Sequence, residues 1–133
     1  MAHLSIEYSE NLGRQVDMAA FCEVARQAMA GSGTFPLAGI RVRAYCADHV
    51  AIGDGGDDLA FADLILRMGK GRDEATRLQV VEAVYAALEN WVRPQITMPF
   101  ALSLELVEIN YPFAENGLNT IRPALLARGA ENV

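Results

Sequence analysis

Lysine is nearly missing from this chain. Of eleven basic residues ten are arginine and only Lys70 is lysine. Histidine is scarce too, with His3 and His49 alone, so a histidine-rich metal site is not available. The two cysteines, Cys22 and Cys46, show neither CxxC nor metal-ligand spacing and are too few for a disulfide framework. They read as small core hydrophobes of a protein in a reducing compartment. No apolar run approaches the roughly 20 residues of a bilayer span, and the start MAHLSIEYSEN has neither a basic opening nor an apolar signal core. The expected location is cytoplasmic, without membrane contact. An excess of basic charge is also lacking: the net charge is -6 and the isoelectric point near 4.8. Both count against nucleic-acid or anionic-membrane partners. HExxH, GxSxG, EF-hand and CxxC motifs are absent, so common hydrolase and zinc chemistry has little support.

The 133 residues, 52% hydrophobic and 21% charged, have the composition and length of one globular domain. Leu4, Ile6 and Tyr8 alternate with His3, Ser5, Glu7 and Ser9, the period of a half-buried strand. Asp17 is a good N-cap for a helix that carries Phe21, Val24, Ala25, Ala28 and Met29 and stops at Gly31. From Gly39 to about Ile52 a second strand is expected, with Ile40, Val42, Ala44 and Cys46 on one face and Arg41, Arg43 and Tyr45 on the other. The glycine and aspartate run at positions 53 to 58 then divides the chain. Beyond it come a strand from Leu59 to Met68, a helix from Asp73 with Leu78, Val81, Tyr85, Leu88 and Val92 on its stripe, a stop at Pro94, and a strand from Ala101 to Ile109.

The order β-α-β followed by β-α-β, at similar offsets, suggests an internal duplication. The fold class is α/β: units 1–52 and 59–109 fuse into a four-stranded sheet with two helices on one face, followed by an irregular arm over 110–133. Leu59, Phe61, Ile65, Val107 and Ile109 would leave the other face too apolar for water, which predicts an oligomer built by stacking sheets.

Several segments carry candidate chemistry. Met68-Gly69-Lys70-Gly71-Arg72-Asp73 runs from a strand end into a helix start. It is either an anion pocket of backbone N–H groups, Lys70 and Arg72, or a plain turn with Arg72 in solvent. Arg41 and Arg43, on one strand face, are either a solvated edge or the floor of a carboxylate pocket. His3, beside the amino terminus, is a candidate for assisting proton transfer, although a strand histidine is more often structural. Cys46 has no base tied to it by pattern.

The opening Met1-Ala2-His3 with its immediate strand, the segment Phe35-Pro36-Leu37-Ala38-Gly39-Ile40-Arg41-Val42-Arg43, and Gly69-Lys70-Gly71-Arg72 with Arg77 resemble the 5-carboxymethyl-2-hydroxymuconate isomerase family of the tautomerase superfamily. The resemblance runs from the first residue to about Ile109. It implies two fused β-α-β units assembled as a homotrimer, and no metal or organic cofactor. The reaction it implies moves a proton within an unsaturated hydroxy-muconate-type polycarboxylic acid, in the homoprotocatechuate branch of aromatic degradation. The implied base is the amine at position 2, freed by methionine removal. The implied substrate-binding residues are Arg41 and Arg72, with Arg43 and His3 as lesser candidates. The family has proline at position 2 and this chain has Ala2, so the amine would be primary. The alternative from another class is a trimeric protein that binds a small anionic metabolite and has lost its catalytic base.

Overall fold

In a computed structural model that describes every residue from 1 to 133, the alternation at the amino terminus forms strand β1 (Ala2–Ser9). The order continues α1 (Glu10–Gln15), α2 (Met18–Gly31), β2 (Ile40–Ala47), β3 (Ala60–Met68), α3 (Glu74–Val92), β4 (Phe100–Glu108) and α4 (Ile121–Ala127). The strands lie in the order β2-β1-β3-β4. β1 runs parallel to β2, and β3 parallel to β4, each pair closed by a crossover helix, while β1 and β3 meet antiparallel in the middle. Both long helices cover one face, so the duplicated α/β plan stands.

That face is the core. Ala2, Leu4 and Ile6 from β1 and Ala62, Leu64, Leu66 and Met68 from β3 are buried under Phe21, Ala25 and Met29 of α2 and Val80, Val84, Leu88 and Val92 of α3. Asp17 caps α2 by accepting from the N–H groups of Ala19 and Ala20 at 3.0 and 3.1 Å, as its residue type demands. The stripe on α3 differs from the expected one. Leu78 is exposed, and the buried series is the four-residue repeat from Val80. The short Val80 and Val84 let α3 lie close on α2, while Tyr85 turns toward β4 and donates its hydroxyl to the Leu102 carbonyl at 3.2 Å.

Three further expectations need correction. Strand β2 stops at Ala47, not near Ile52, because its partner β1 ends at the opposite residue, Ser9, and turns into α1. Helix α1 itself carries no sequence pattern beyond Leu12, which is buried. Cys46 is exposed on the edge strand, and only Cys22 packs against the core. The arm is not irregular throughout, since Ile121–Ala127 is helical and the last residues return to their own chain: Leu37 N–H donates to the Asn132 carbonyl at 2.8 Å.

The open face of the sheet is banded and not simply apolar. Leu59 precedes β3, and Ile109 is buried. From the strand register, the first rung sets Arg41, His3, Arg67 and Val107 side by side, and the next Arg43, Ser5, Ile65 and Glu105. Tyr45, Glu7, Asp63 and Ser103 follow, and then Ala47, Ser9, Phe61 and Ala101. One end of the face is basic, the middle acidic and the far end small or apolar.

Candidate active site

The amino terminus lies where the two halves of the sheet meet. Its floor is Gly39, at the end of the single turn Leu37–Gly39 that leads into β2. A Cβ on Gly39 would come within 3.4 Å of the Met1 nitrogen and 4.0 Å of the Ala2 nitrogen. Glycine leaves room there for whichever nitrogen ends the chain. The Met1 carbonyl accepts from Gly69 N–H at 3.2 Å, which ties the terminus to the turn after β3.

Arg41 and Arg72 approach this amine from opposite halves. Arg41 donates through Nη1 to the Gly39 carbonyl at 3.3 Å. Arg72 is aimed inward by the turn at Gly71, whose φ of +113° strongly favours glycine, and it donates to the carbonyls of Gly69 at 3.3 Å and Thr34 at 3.1 Å. Both guanidiniums keep further N–H donors for a carboxylate. Burial first, then the charges of Arg72 and Arg41, hold the terminal amine below its ordinary value of 8.0. Each of these disfavours the charged form, so more of the amine is free base at neutral pH.

The surrounding cavity is about 260 Å³ and is lined by Met1, His3, Gly39, Arg41 and four residues of the arm, Glu115, Asn116, Leu118 and Asn119. The side-chain amide of Asn119 donates to the Ala38 carbonyl at 3.4 Å and fastens the arm over the pocket. The sequence reading missed these arm residues, which form neither a periodic pattern nor a motif. A hollow of similar size, about 270 Å³, lies between α3 and β4. Its only charged side chains, Glu89 and Arg93, are paired with each other at 3.0 Å. It offers no free base or anion-holding group.

The remaining candidates separate. His3 lines the cavity, and Arg43 stands one rung further along the open face, with Nη1 at 3.1 Å from Nδ1 of His3. Lys70 is exposed, and Arg77 is paired with Glu108 at 3.3 Å. At the start of α3 the Asp73 carboxylate accepts from Thr76 N–H at 2.8 Å, so the helix terminus already has an acidic cap from its own chain. Of the segment from Met68 to Asp73, only Arg72 faces the terminal amine closely enough to lower its proton affinity. No group of three or more His, Cys, Asp or Glu side chains that could hold a metal ion is present, and no helix is long and apolar enough to cross a membrane.

With this geometry in hand, the comparison with known proteins is direct. The family model of 5-carboxymethyl-2-hydroxymuconate isomerase matches residues 2–125. The 5-carboxymethyl-2-hydroxymuconate Delta-isomerase of Escherichia coli is 28% identical over 124 residues, covering 91% of this chain and 98% of that protein. A crystal structure of a 5-carboxymethyl-2-hydroxymuconate delta-isomerase superposes with a TM-score of 0.85 at 33% identity, over 94% of this chain and 93% of the other. The corresponding isomerase of Deinococcus radiodurans R1 gives a TM-score of 0.84 at 26% identity, over 98% and 95%. This chain belongs to the 5-carboxymethyl-2-hydroxymuconate isomerase family, with the fold of the tautomerase superfamily.

Proposed function

We propose that the chain is a cofactor-independent isomerase that moves a proton within an unsaturated hydroxy-muconate-type polycarboxylic acid, as a cytoplasmic enzyme of aromatic compound degradation. The observation that carries this reading is the chain terminus itself: the Met1 amine is biased toward its neutral form by burial, Arg72 and Arg41, and the Ala2 nitrogen that succeeds it lies over the same Gly39 floor. The two guanidiniums hold carboxylates by charge-assisted hydrogen bonds, with His3 and Arg43 further along the same face. The amine, that of Ala2 once Met1 is removed, takes a proton from the substrate. The electron pair left behind spreads through the conjugated system, and the amine returns the proton at another carbon. Positive charge fixed beside the developing dienolate lowers the barrier. As in the family, the assembly is a homotrimer. Three sheets with open faces and free edges at β2 and β4 support it, because each copy leaves backbone donors and acceptors for another to cover.

The test is the intact mass of the untagged protein from its own host, with the isomerisation assay run on that same sample. A mass lacking methionine together with turnover supports the Ala2 amine as base. Turnover that is unchanged in Arg41→Ala would overturn the pocket assignment.

Ala2 itself favours a second reading, a trimer that binds a small anionic metabolite without turning it over. With Met1 in place the Ala2 nitrogen is an amide and has no basic lone pair, and the free amine lies one residue away. Substitution of Ala2→Pro separates the two. A large gain in activity from a near-zero start supports the binding protein, and an active parent supports the isomerase.

A further inference from the structure

The floor under the terminal amine is held from outside the two β-α-β units. Residues 34–41 serve the pocket at three points. The Thr34 carbonyl anchors Arg72 at 3.1 Å, Gly39 lies beneath the Met1 and Ala2 nitrogens, and Arg41 follows two residues later. A shift of this stretch therefore moves the floor and both guanidiniums relative to one another. Phe35 and Ala38 within it are buried. A turn bond from Gly39 N–H to the Pro36 carbonyl at 2.9 Å leaves the Leu37 N–H and the Phe35 and Ala38 carbonyls in need of partners from elsewhere.

All three partners come from the arm. Leu37 N–H donates to the Asn132 carbonyl at 2.8 Å, the Asn132 amide donates to the Phe35 carbonyl at 3.5 Å, and the Asn119 amide donates to the Ala38 carbonyl at 3.4 Å. The geometry of the arm sets both asparagines. Asn119 Oδ1 accepts from Ile121 N–H at 3.1 Å, which fixes its side chain at the start of α4, and α4 packs against the turn. Beyond α4, Gly129 with a φ of +79° sends the chain back, and Ala130 N–H donates to the Leu125 carbonyl at 3.0 Å. Asn132 then takes a φ of +50°, the only positive value at a non-glycine residue in the chain. Asparagine tolerates that conformation and a β-branched residue does not. The shortest bond of the set is made by the Asn132 carbonyl, so it depends on this backbone angle.

We propose that Asn132 and Asn119 are positioning residues for the isomerisation, a clamp that holds residues 34–41 so that the terminal amine, Arg41 and Arg72 keep one spacing. The inference rests on the function proposed above, since it concerns the same pocket. Asn132 does not line the cavity and acts only through the turn it holds. A misplacement of about 1 Å between reacting groups costs on the order of a hundredfold in rate, so a remote clamp can govern turnover.

The test compares Asn132→Val with Asn132→Gly in the full-length protein. Valine disfavours the φ that presents the carbonyl to Leu37, whereas glycine adopts it freely. In Asn132→Val kcat falls tenfold or more, and the pH midpoint for acylation of the terminal amine moves upward as the arginine charges lose their fixed places. In Asn132→Gly kcat stays within threefold of the parent and the midpoint does not move. A residue with a merely structural role would lower the denaturation midpoint and leave the acylation midpoint where it was. Asn119→Ser keeps a hydroxyl that accepts from Ile121 N–H but is too short to reach Ala38. It repeats the effect in weaker form and carries the test should Asn132→Val fail to fold. Folded variants with the parent's kcat and acylation midpoint overturn the clamp, as does a glycine variant as impaired as the valine one. If the parent shows no turnover, the isomerase reading falls, and an acylation midpoint that moves in Asn132→Val but not in Asn132→Gly upholds the clamp. An active parent indifferent to both substitutions overturns the clamp and leaves the isomerase reading in place.

Discussion

Arg72 spans the two halves of the molecule, donating through Nη2 to the Thr34 carbonyl ahead of β2 at 3.1 Å and through Nη1 to the Gly69 carbonyl of its own turn at 3.3 Å. The guanidinium is therefore set in place before any substrate arrives, and ordering it costs little when a carboxylate binds.

Removal of this side chain has two separable effects. Arg72→Ala strands two part-buried carbonyls, which costs about 1–2 kcal/mol of stability, measured by chemical denaturation. It also removes a charge beside the reacting group, and kcat/KM falls by roughly a hundredfold or more. Arg72→Lys restores part of the binding but not the bidentate hold. A variant that lost stability but kept kcat/KM would make Arg72 a structural strut and nothing more.

The terminal amine sets the pH profile. Burial, Arg72 and Arg41 all lower the proton affinity of the Met1 amine below the ordinary value of 8.0; the same charges stand beside the Ala2 amine once Met1 is removed, so kcat/KM rises with pH through an inflection below 8.0 and then levels off. Arg41→Ala removes one of the charges responsible and moves that inflection upward, in whatever activity survives. The same change is readable without substrate from the rate of acylation of the amine across pH. An inflection that stays where it was in Arg41→Ala would place the base elsewhere.

Much of the fold was open to reading because each long element repeats one simple period. Alternation in Ala2–Ser9 and Ala60–Met68 fixed which side chains meet the helices, and Asp17 and Asp73 marked both helix starts. The end of β2 was not open to reading, because it depends on where its partner stops and not on its own residues. The α3 stripe misled because adjacent valines, Val80 and Val81, allow two helical registers and only packing against α2 chooses between them. At the site, Arg41 and Arg72 could be singled out only through the family segments around them. Glu115, Asn116 and Asn119 reach the cavity through the course of the arm, which no local pattern encodes.

His3 makes stability depend on acid. Its folded value lies below the ordinary 6.5, from burial and from Arg67, Arg43, Arg41 and the terminal amine. The unfolded chain therefore binds the proton more readily. The contribution of neutral His3 is whole above the unfolded value and is lost progressively as pH falls from there through the folded one. Urea denaturation at pH 7.5 and 5.5 shows this loss in the parent and a smaller loss in His3→Gln. Equal losses in the two proteins would mean that the histidine is not under the strain the arginines impose.

Glu115 gives the arm a part in affinity that can be measured. It lines the same cavity as Arg41 and the terminal amine, yet it forms no ion pair with either, since none of the four pairs in the molecule includes it. A carboxylate left unpaired beside a pocket for carboxylates repels the ligand, and at an exposed position such as that of Glu115 solvent screens the repulsion to about 1 kcal/mol or less. Glu115→Gln keeps the size of the side chain and removes the charge, so KM falls severalfold while kcat changes little, and the effect shrinks as salt is raised. If KM rose instead, Glu115 would be accepting a hydrogen bond from the substrate, and the arm would serve recognition directly rather than tempering the charge of the arginines.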